Sequence, residues 1–239
     1  MLRIECISSK GGRDYNEDTV NYKAKGNDIC IVLADGLGGH GGGKIASEVA
    51  VNCILTAFLE HSHIDKAWIK ERFEEANQAV IQKQTDECQM KTTCVALCIE
   101  NSSAVWGHLG DSRLYHFVNG QIVSVTMDHS VSQMAVLSGE IKQAEIRFHA
   151  DRNKVLRAMG ADDTVKLSMD ECNLNDGNFH AFLLCTDGFW EYVLEGEMEI
   201  DLARNENPGE WLLDMEERLK RKVDGHNDNY SAAALFYKS

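Results

Sequence analysis

Five acidic residues stand where a folded chain would gather them. Asp35 ends the apolar run Ile29–Ala34 and is followed by Gly36-Leu37-Gly38-Gly39-His40-Gly41-Gly42-Gly43. Asp187 ends Ala181–Thr186 and precedes Gly188, Asp111 follows Trp106–Gly110, and Asp228 sits just before the run Ala232–Tyr237. Glu17 closes the segment Arg13-Asp14-Tyr15-Asn16-Glu17-Asp18. One Asp-Gly step is an ordinary turn. Repeated at several strand ends, the placement would crowd carboxylates at one edge of a sheet, where they repel and raise one another's pKa values. Hard divalent cations such as Mg²⁺ and Mn²⁺ resolve that conflict, because they take carboxylate and water oxygens. No Cys or His cluster suited to softer metals stands out. His61-Ser62-His63 offers an imidazole pair, but it reads as a solvated helix end.

These residues need elements to carry them. Short apolar runs read as strands at Leu2–Ser9, Ile29–Ala34, Thr93–Ile99, Ala104–Leu109, Arg113–Val118, Gln121–Val125, Ala181–Thr186 and Ala232–Tyr237. Val118-Asn119-Gly120-Gln121 carries the Asn-Gly signal of a tight hairpin, so antiparallel pairing is expected. Helical spacing fills Lys44–His61, Lys66–Glu87, Ser130–Ser138, Gln143–Leu156 and Gly209–Lys222. Asn207-Pro208-Gly209-Glu210 supplies a helix start, with Asn as cap and Pro at the first helical position. Helices come in pairs between blocks of strands, which predicts an α+β fold rather than alternating βαβ units. With no linker or repeat, residues 1–239 read as one domain.

Composition narrows the function. The formal net charge of −14 argues against the basic surface that nucleic acid requires. The 44% hydrophobic and 26% charged fractions are those of a globular chain. No apolar run approaching 18 residues and no signal core are apparent, so a soluble, cytoplasmic protein without a membrane partner is expected. The eight cysteines are scattered without a C-x-x-C pair and read as reduced, buried thiols.

The ordered set Arg13…Asn16-Glu17-Asp18, Asp35-Gly36-Leu37-Gly38-Gly39-His40, Thr92-Thr93, Gly110-Asp111-Ser112-Arg113, Asp128-His129-Ser130, Arg152-Asn153…Arg157-Ala158-Met159-Gly160, Thr186-Asp187-Gly188 and Asp228-Asn229 resembles the metal-dependent PP2C-type (PPM) serine/threonine protein phosphatases in their compact bacterial form. The resemblance covers nearly the whole chain, and its specificity lies in the order of the motifs. It implies a four-layer αββα sandwich of two antiparallel sheets flanked by helices. It also implies two core Mn²⁺ or Mg²⁺ ions bridged by Asp35, with the Gly36 carbonyl, Glu17, Asp187 and Asp228 as further ligands. A third, weaker ion would lie on Asp111 and Asp187. Arg13 corresponds to the phosphate-gripping arginine, whose fork fits two phosphate oxygens. His40 is a candidate proton donor to the leaving oxygen, and 128–160 matches a mobile flap. Phosphoserine and phosphothreonine proteins would be the substrates, with a cognate kinase as partner and the enzyme a monomer.

Departures from the family pattern are few: Lys91 stands where glycine usually precedes the paired threonines, Leu37 replaces a methionine, and Ser231 replaces a threonine. None removes a ligand or Arg13. A catalytically weak phosphoprotein-binding or regulatory domain would be expected to lack Asp35, Asp187 or Asp228. Gly38-x4-Gly43-Lys44 nearly spells a nucleotide-binding P-loop, but Ile45 stands where a Mg²⁺-binding hydroxyl belongs. Ser112 as an esterase nucleophile has neither a G-x-S-x-G elbow nor an Asp-x-x-His partner.

Overall fold

The computed structural model describes residues 2–38 and 41–238. Its first strands are β1 (Leu2–Ser9), β2 (Thr19–Lys25), β3 (Asp28–Ala34) and the short β4 (Gly36–Leu37). Two helices follow, α1 (Gly42–Leu59) and α2 (Lys66–Ile81), then β5 (Lys91–Thr92), β6 (Cys94–Glu100), β7 (Ser103–Leu109), β8 (Arg113–Val118) and β9 (Gln121–Val125). The second half contains α3 (Val131–Leu137), β10 (Ser168–Asn173), β11 (Phe179–Cys185), α4 (Asp187–Trp190), α5 (Glu195–Leu202), α6 (Pro208–Lys222) and β12 (Tyr230–Lys238). One sheet has the order β1-β12-β11-β8-β9 and the other β10-β7-β6-β3-β2, both antiparallel; β4 and β5 form a separate pair.

The period of two along each strand builds the layers. Ile29, Ile31 and Leu33 of β3 meet Phe182 and Leu184 of β11 and Leu235 of β12 between the sheets. The alternate residues Cys30, Val32 and Ala34 face α1 and α2, with Ala50, Ile54, Phe58 and Phe73. On the other outer face Leu183 and Ala234 pack under Trp211, Met215 and Leu219 of α6. Helix, sheet, sheet and helix give the four-layer αββα sandwich. By length and composition α1 is apolar enough to cross a membrane, with mean hydropathy 1.2 over 18 residues, although Lys44 and Glu48 interrupt its apolar run. Its packing accounts for that hydropathy: Ala46, Ala50, Ile54 and Phe58 are fully buried among the residues that cover sheet and α2.

Several elements differ from the sequence reading. Thr19–Lys25 and Ser168–Asn173 are edge strands whose exposed, polar composition hides the pattern. The expected helix over Gln143–Leu156 is a 3₁₀ helix at Gln143–Phe148, followed by turns until Val155 bridges to Ser130. Residues 187–202 carry two short helices, of four and eight residues, over which a 3.6-residue period has too few turns to stand out.

Register explains why the acidic residues meet. β2 begins where β3 ends, with Thr19 opposite Ala34, so Glu17 and Asp35 share an edge. Cys94 at the start of β6 pairs with Leu109 at the end of β7, which delivers Asp111 to that same edge. In the other sheet Cys185 lies between Arg113 and Ala232, setting Asp187 beside the entry to β8 and the start of β12 that follows Asp228.

Candidate active site

Arg13, Glu17, Asp35, Gly36, Asp111, Asp187 and Asp228 all line one cleft of about 880 Å³. They are seven of the eight residues singled out above; the eighth, His40, lies outside the described residues.

Backbone bonds hold Asp35 rather than bonds to its carboxylate. Its amide donates to Thr93 Oγ1 at 3.0 Å, and its carbonyl accepts from the Thr93 amide at 2.9 Å and from Thr92 Oγ1 at 2.8 Å. The paired threonines are therefore a clamp on the strand end. β4 continues the grip through pairing of Gly36 with Thr92 and of Leu37 with Lys91, so the lysine found in place of glycine sits outside the clamp. Gly36 is glycine because a Cβ there would stand 2.2 Å from the Gly43 carbonyl oxygen and 2.7 Å from that of Glu17. That approach keeps the start of α1 against the segment carrying Glu17.

The sequence reading gave Asn229 no role. Its side chain accepts from the Glu17 amide at 2.8 Å and donates to the carbonyls of Lys10 and Tyr15 at 2.9 and 2.8 Å. One buried amide thus fixes Glu17 against Asp228. Asp18 was likewise quoted without a function. Thr186 Oγ1 donates to its Oδ2 at 3.0 Å, while its Oδ1 is buried without a partner. An Asn beside a ligand-type Asp, and a Thr opening Thr-Asp-Gly, were the available signals.

The charge is uncompensated. Burial, and then the neighbours Asp18, Asp187, Asp111 and Asp228, push the Asp35 carboxyl well above the usual range. Asp187 rises well above it too, through burial and then Asp111 and Glu191. Asp111 is pushed up to about 7, by burial first and then by Asp128. Asp18 is also raised to about 7, chiefly by burial. Arg13 gives partial relief at the rim, where Nη2 donates to Asp228 Oδ2 at 2.7 Å; its side chain is 57% exposed, so the pair is weak. An all-oxygen donor set, repelled within one cleft and next to an orphaned buried carboxylate oxygen, fits hard divalent cations.

Comparison with known proteins gives matches over most of the chain. Residues 12–223 match the family model described as Protein phosphatase 2C. The serine/threonine phosphatase stp of Listeria welshimeri is 32% identical over 196 residues, 78% of this chain and 77% of that protein. Protein phosphatase PhpP of Streptococcus pneumoniae is 30% identical over 245 residues, covering 98% of this chain and 97% of its own. Among solved structures, the catalytic domain of the serine/threonine protein phosphatase PstP in complex with two manganese ions superposes with a TM-score of 0.82 at 26% identity, covering 98% of this chain and 97% of that one.

Proposed function

Because the chain belongs to the protein phosphatase 2C family and is a serine/threonine phosphatase, we propose that its cleft residues hydrolyse phosphoserine and phosphothreonine on proteins in one step, without a covalent phosphoenzyme. The observation that carries this is the meeting of Glu17, Asp35, Asp111, Asp187 and Asp228, from five separate segments, in a cleft that also contains Arg13. Asp35, Glu17, the Gly36 carbonyl, Asp187 and Asp228 would hold two Mn²⁺ or Mg²⁺ ions, and Asp111 with Asp187 a third. When bound, such ions supply a deprotonated water near neutral pH and neutralise phosphoryl charge during in-line displacement.

The remaining work belongs to the chain. Arg13 would orient the phosphate through its planar fork, and its exposed bond to Asp228 is one it can give up to a ligand. The threonine clamp and Asn229 hold Asp35 and Glu17 in place before substrate arrives. His40 would protonate the departing serine or threonine oxygen. Residues 128–160 would act as a flap over the site; Asn153 and Val155 already line the cleft. We read the enzyme as a monomeric single domain working opposite a kinase of the same substrates. A reducing, cytoplasmic setting would suit its eight free thiols.

Hydrolysis of a small aryl phosphate should depend on Mn²⁺ or Mg²⁺ and vanish in EDTA; full turnover in metal-free buffer would overturn the assignment. Arg13→Ala is expected to raise KM for a phosphopeptide about tenfold, roughly 1.4 kcal/mol of lost phosphate binding. Its Mn²⁺ affinity, followed by calorimetry, should change far less, and an unchanged KM would remove Arg13 from phosphate binding.

A further inference from the structure

The opposite edge of the sandwich carries a second set of ligand groups. β3 begins at Asp28 and β6 ends at Glu100, set side by side by the pairing of Ile29 with Ile99, and His61 reaches them from just beyond α1. Asp28 lies seven residues before Asp35, about 23 Å along an extended strand, so this edge is remote from the cleft. His61 Nε2 stands 3.2 Å from Glu100 Oε1 and 3.7 Å from Asp28 Oδ2. Among the described residues, this is the one group of three His, Cys, Asp or Glu whose ligand atoms all lie within 4.8 Å of one another. The reading of His61-Ser62-His63 as a solvated helix end therefore holds only for His63. The His61 and Glu100 side chains are 3% and 8% exposed.

Each of the three is held through one atom and presents another. His61 Nδ1 bonds the Phe58 carbonyl, which can only accept. Nδ1 therefore carries a proton, and in the neutral ring Nε2 is a bare lone pair. Glu100 Oε2 accepts from the Ile64 amide at 3.1 Å and from His63 Nδ1 at 2.8 Å, leaving Oε1 for His61. Asp28 Oδ1 accepts from the Asn101 amide at 3.4 Å, leaving Oδ2. Lys25 also packs here, with its ammonium donating to the His61 carbonyl at 3.0 Å. A nitrogen lone pair facing two carboxylate oxygens in a buried place is repulsive unless positive charge lies between them.

We propose that Asp28, His61 and Glu100 bind a divalent cation of the Zn²⁺ type, with water completing its coordination, and so tie the end of α1 to the β3–β6 edge. Outer hydrogen bonds on the far atom of an imidazole or carboxylate are the usual means of aiming metal ligands. Bonds of about 2.0–2.2 Å in a tetrahedron separate ligand atoms by roughly 3.3–3.6 Å, close to the 3.2 and 3.7 Å found. One imidazole with two carboxylates suits Zn²⁺ better than Mg²⁺, which seldom takes nitrogen. The site stands independently of the phosphatase reading.

The test is a ZnCl₂ titration of the full chain, with the histidine rings ¹⁵N-labelled and the catalytic cleft kept filled by excess Mg²⁺. The expected result is about one Zn²⁺ retained per chain, a shift of His61 Nε2 to a coordinated position and, at a hundredfold excess over Kd, a rise in Tm of roughly 5–10 °C. His61→Gln should abolish the retention and the rise in Tm. Glu100→Gln, which keeps the size of the side chain, should weaken retention at least tenfold while leaving Mg²⁺-dependent hydrolysis intact. Two protons on the His61 ring with no response to Zn²⁺ would make the cluster a plain ion pair and overturn the proposal. Undiminished Zn²⁺ binding in both variants would overturn it as well.

Discussion

Asp35→Asn is expected to reduce hydrolysis by roughly 10³-fold or more while making the metal-free chain more stable. The activity loss follows from the proposed metal-holding role: Asn keeps the shape of Asp35 but not the charge that would hold the cations. The stability gain follows from the sign of its titration. Burial and four neighbouring aspartates raise the Asp35 carboxyl well above its ordinary range. The folded chain thus binds more protons here than the unfolded chain, and stability is lost as pH rises through the raised pKa. At pH 7.5 without metal, Asn should recover about 0.5–2 kcal/mol, a common return for relieving a strained functional site. Below about pH 4 the gain should fade, because the wild-type carboxyl is then protonated in both states. Urea unfolding in EDTA at the two pH values measures this, and a less stable variant at pH 7.5 would mean that Asp35 is not repelled in the fold. The same titrations predict that wild-type Mn²⁺ affinity climbs as pH rises through about 7, where Asp111 gives up its proton.

That coupling of repulsion and function shows what the sequence made legible. Asp35, Asp111 and Asp187, each beside glycine where an apolar run ends, were readable because a polar residue closing an apolar run is a local signal, and antiparallel register then brings those ends together. The supports were not readable in the same way. Asn229 acts through three bonds to residues more than 200 positions away in the chain, and Asp18 meets Thr186 across a gap of 168. β2 and β10 escaped notice because edge strands face water and lose their apolar alternation. His61 was misjudged because its neighbours Glu60 and Ser62 are exposed, while its own side chain turns inward onto residues from two strands.

The largest stability loss is expected at a pair that joins two of the sequence motifs. Arg113 of Gly-Asp-Ser-Arg donates Nε to Asp128 Oδ1 at 2.8 Å and Nη2 to Oδ2 at 2.7 Å, with the side chains only 5% and 2% exposed. The guanidinium lies 3.5 Å over the Trp190 ring, and Trp190 Nε1 donates to the Asp111 carbonyl at 2.9 Å. Part of the motif order therefore records a buried ion pair beneath the site rather than groups that touch substrate. Asp128→Ala should cost about 3–5 kcal/mol, since the cation stays buried after losing its bidentate partner. Glu195 cannot substitute fully: it is 3.7 Å from Arg113 and already binds Arg147 at 2.6 Å. For a chain of this length the loss corresponds to roughly 10 °C in Tm. The double variant Arg113→Met/Asp128→Leu should recover most of it, because apolar residues of similar volume remove the uncompensated charge. A cost under about 1 kcal/mol for Asp128→Ala would show that solvent reaches the guanidinium. If the double variant were less stable than the single one, the Arg113–Trp190 stack, and not the ion pair, would be holding Asp111 at the cleft.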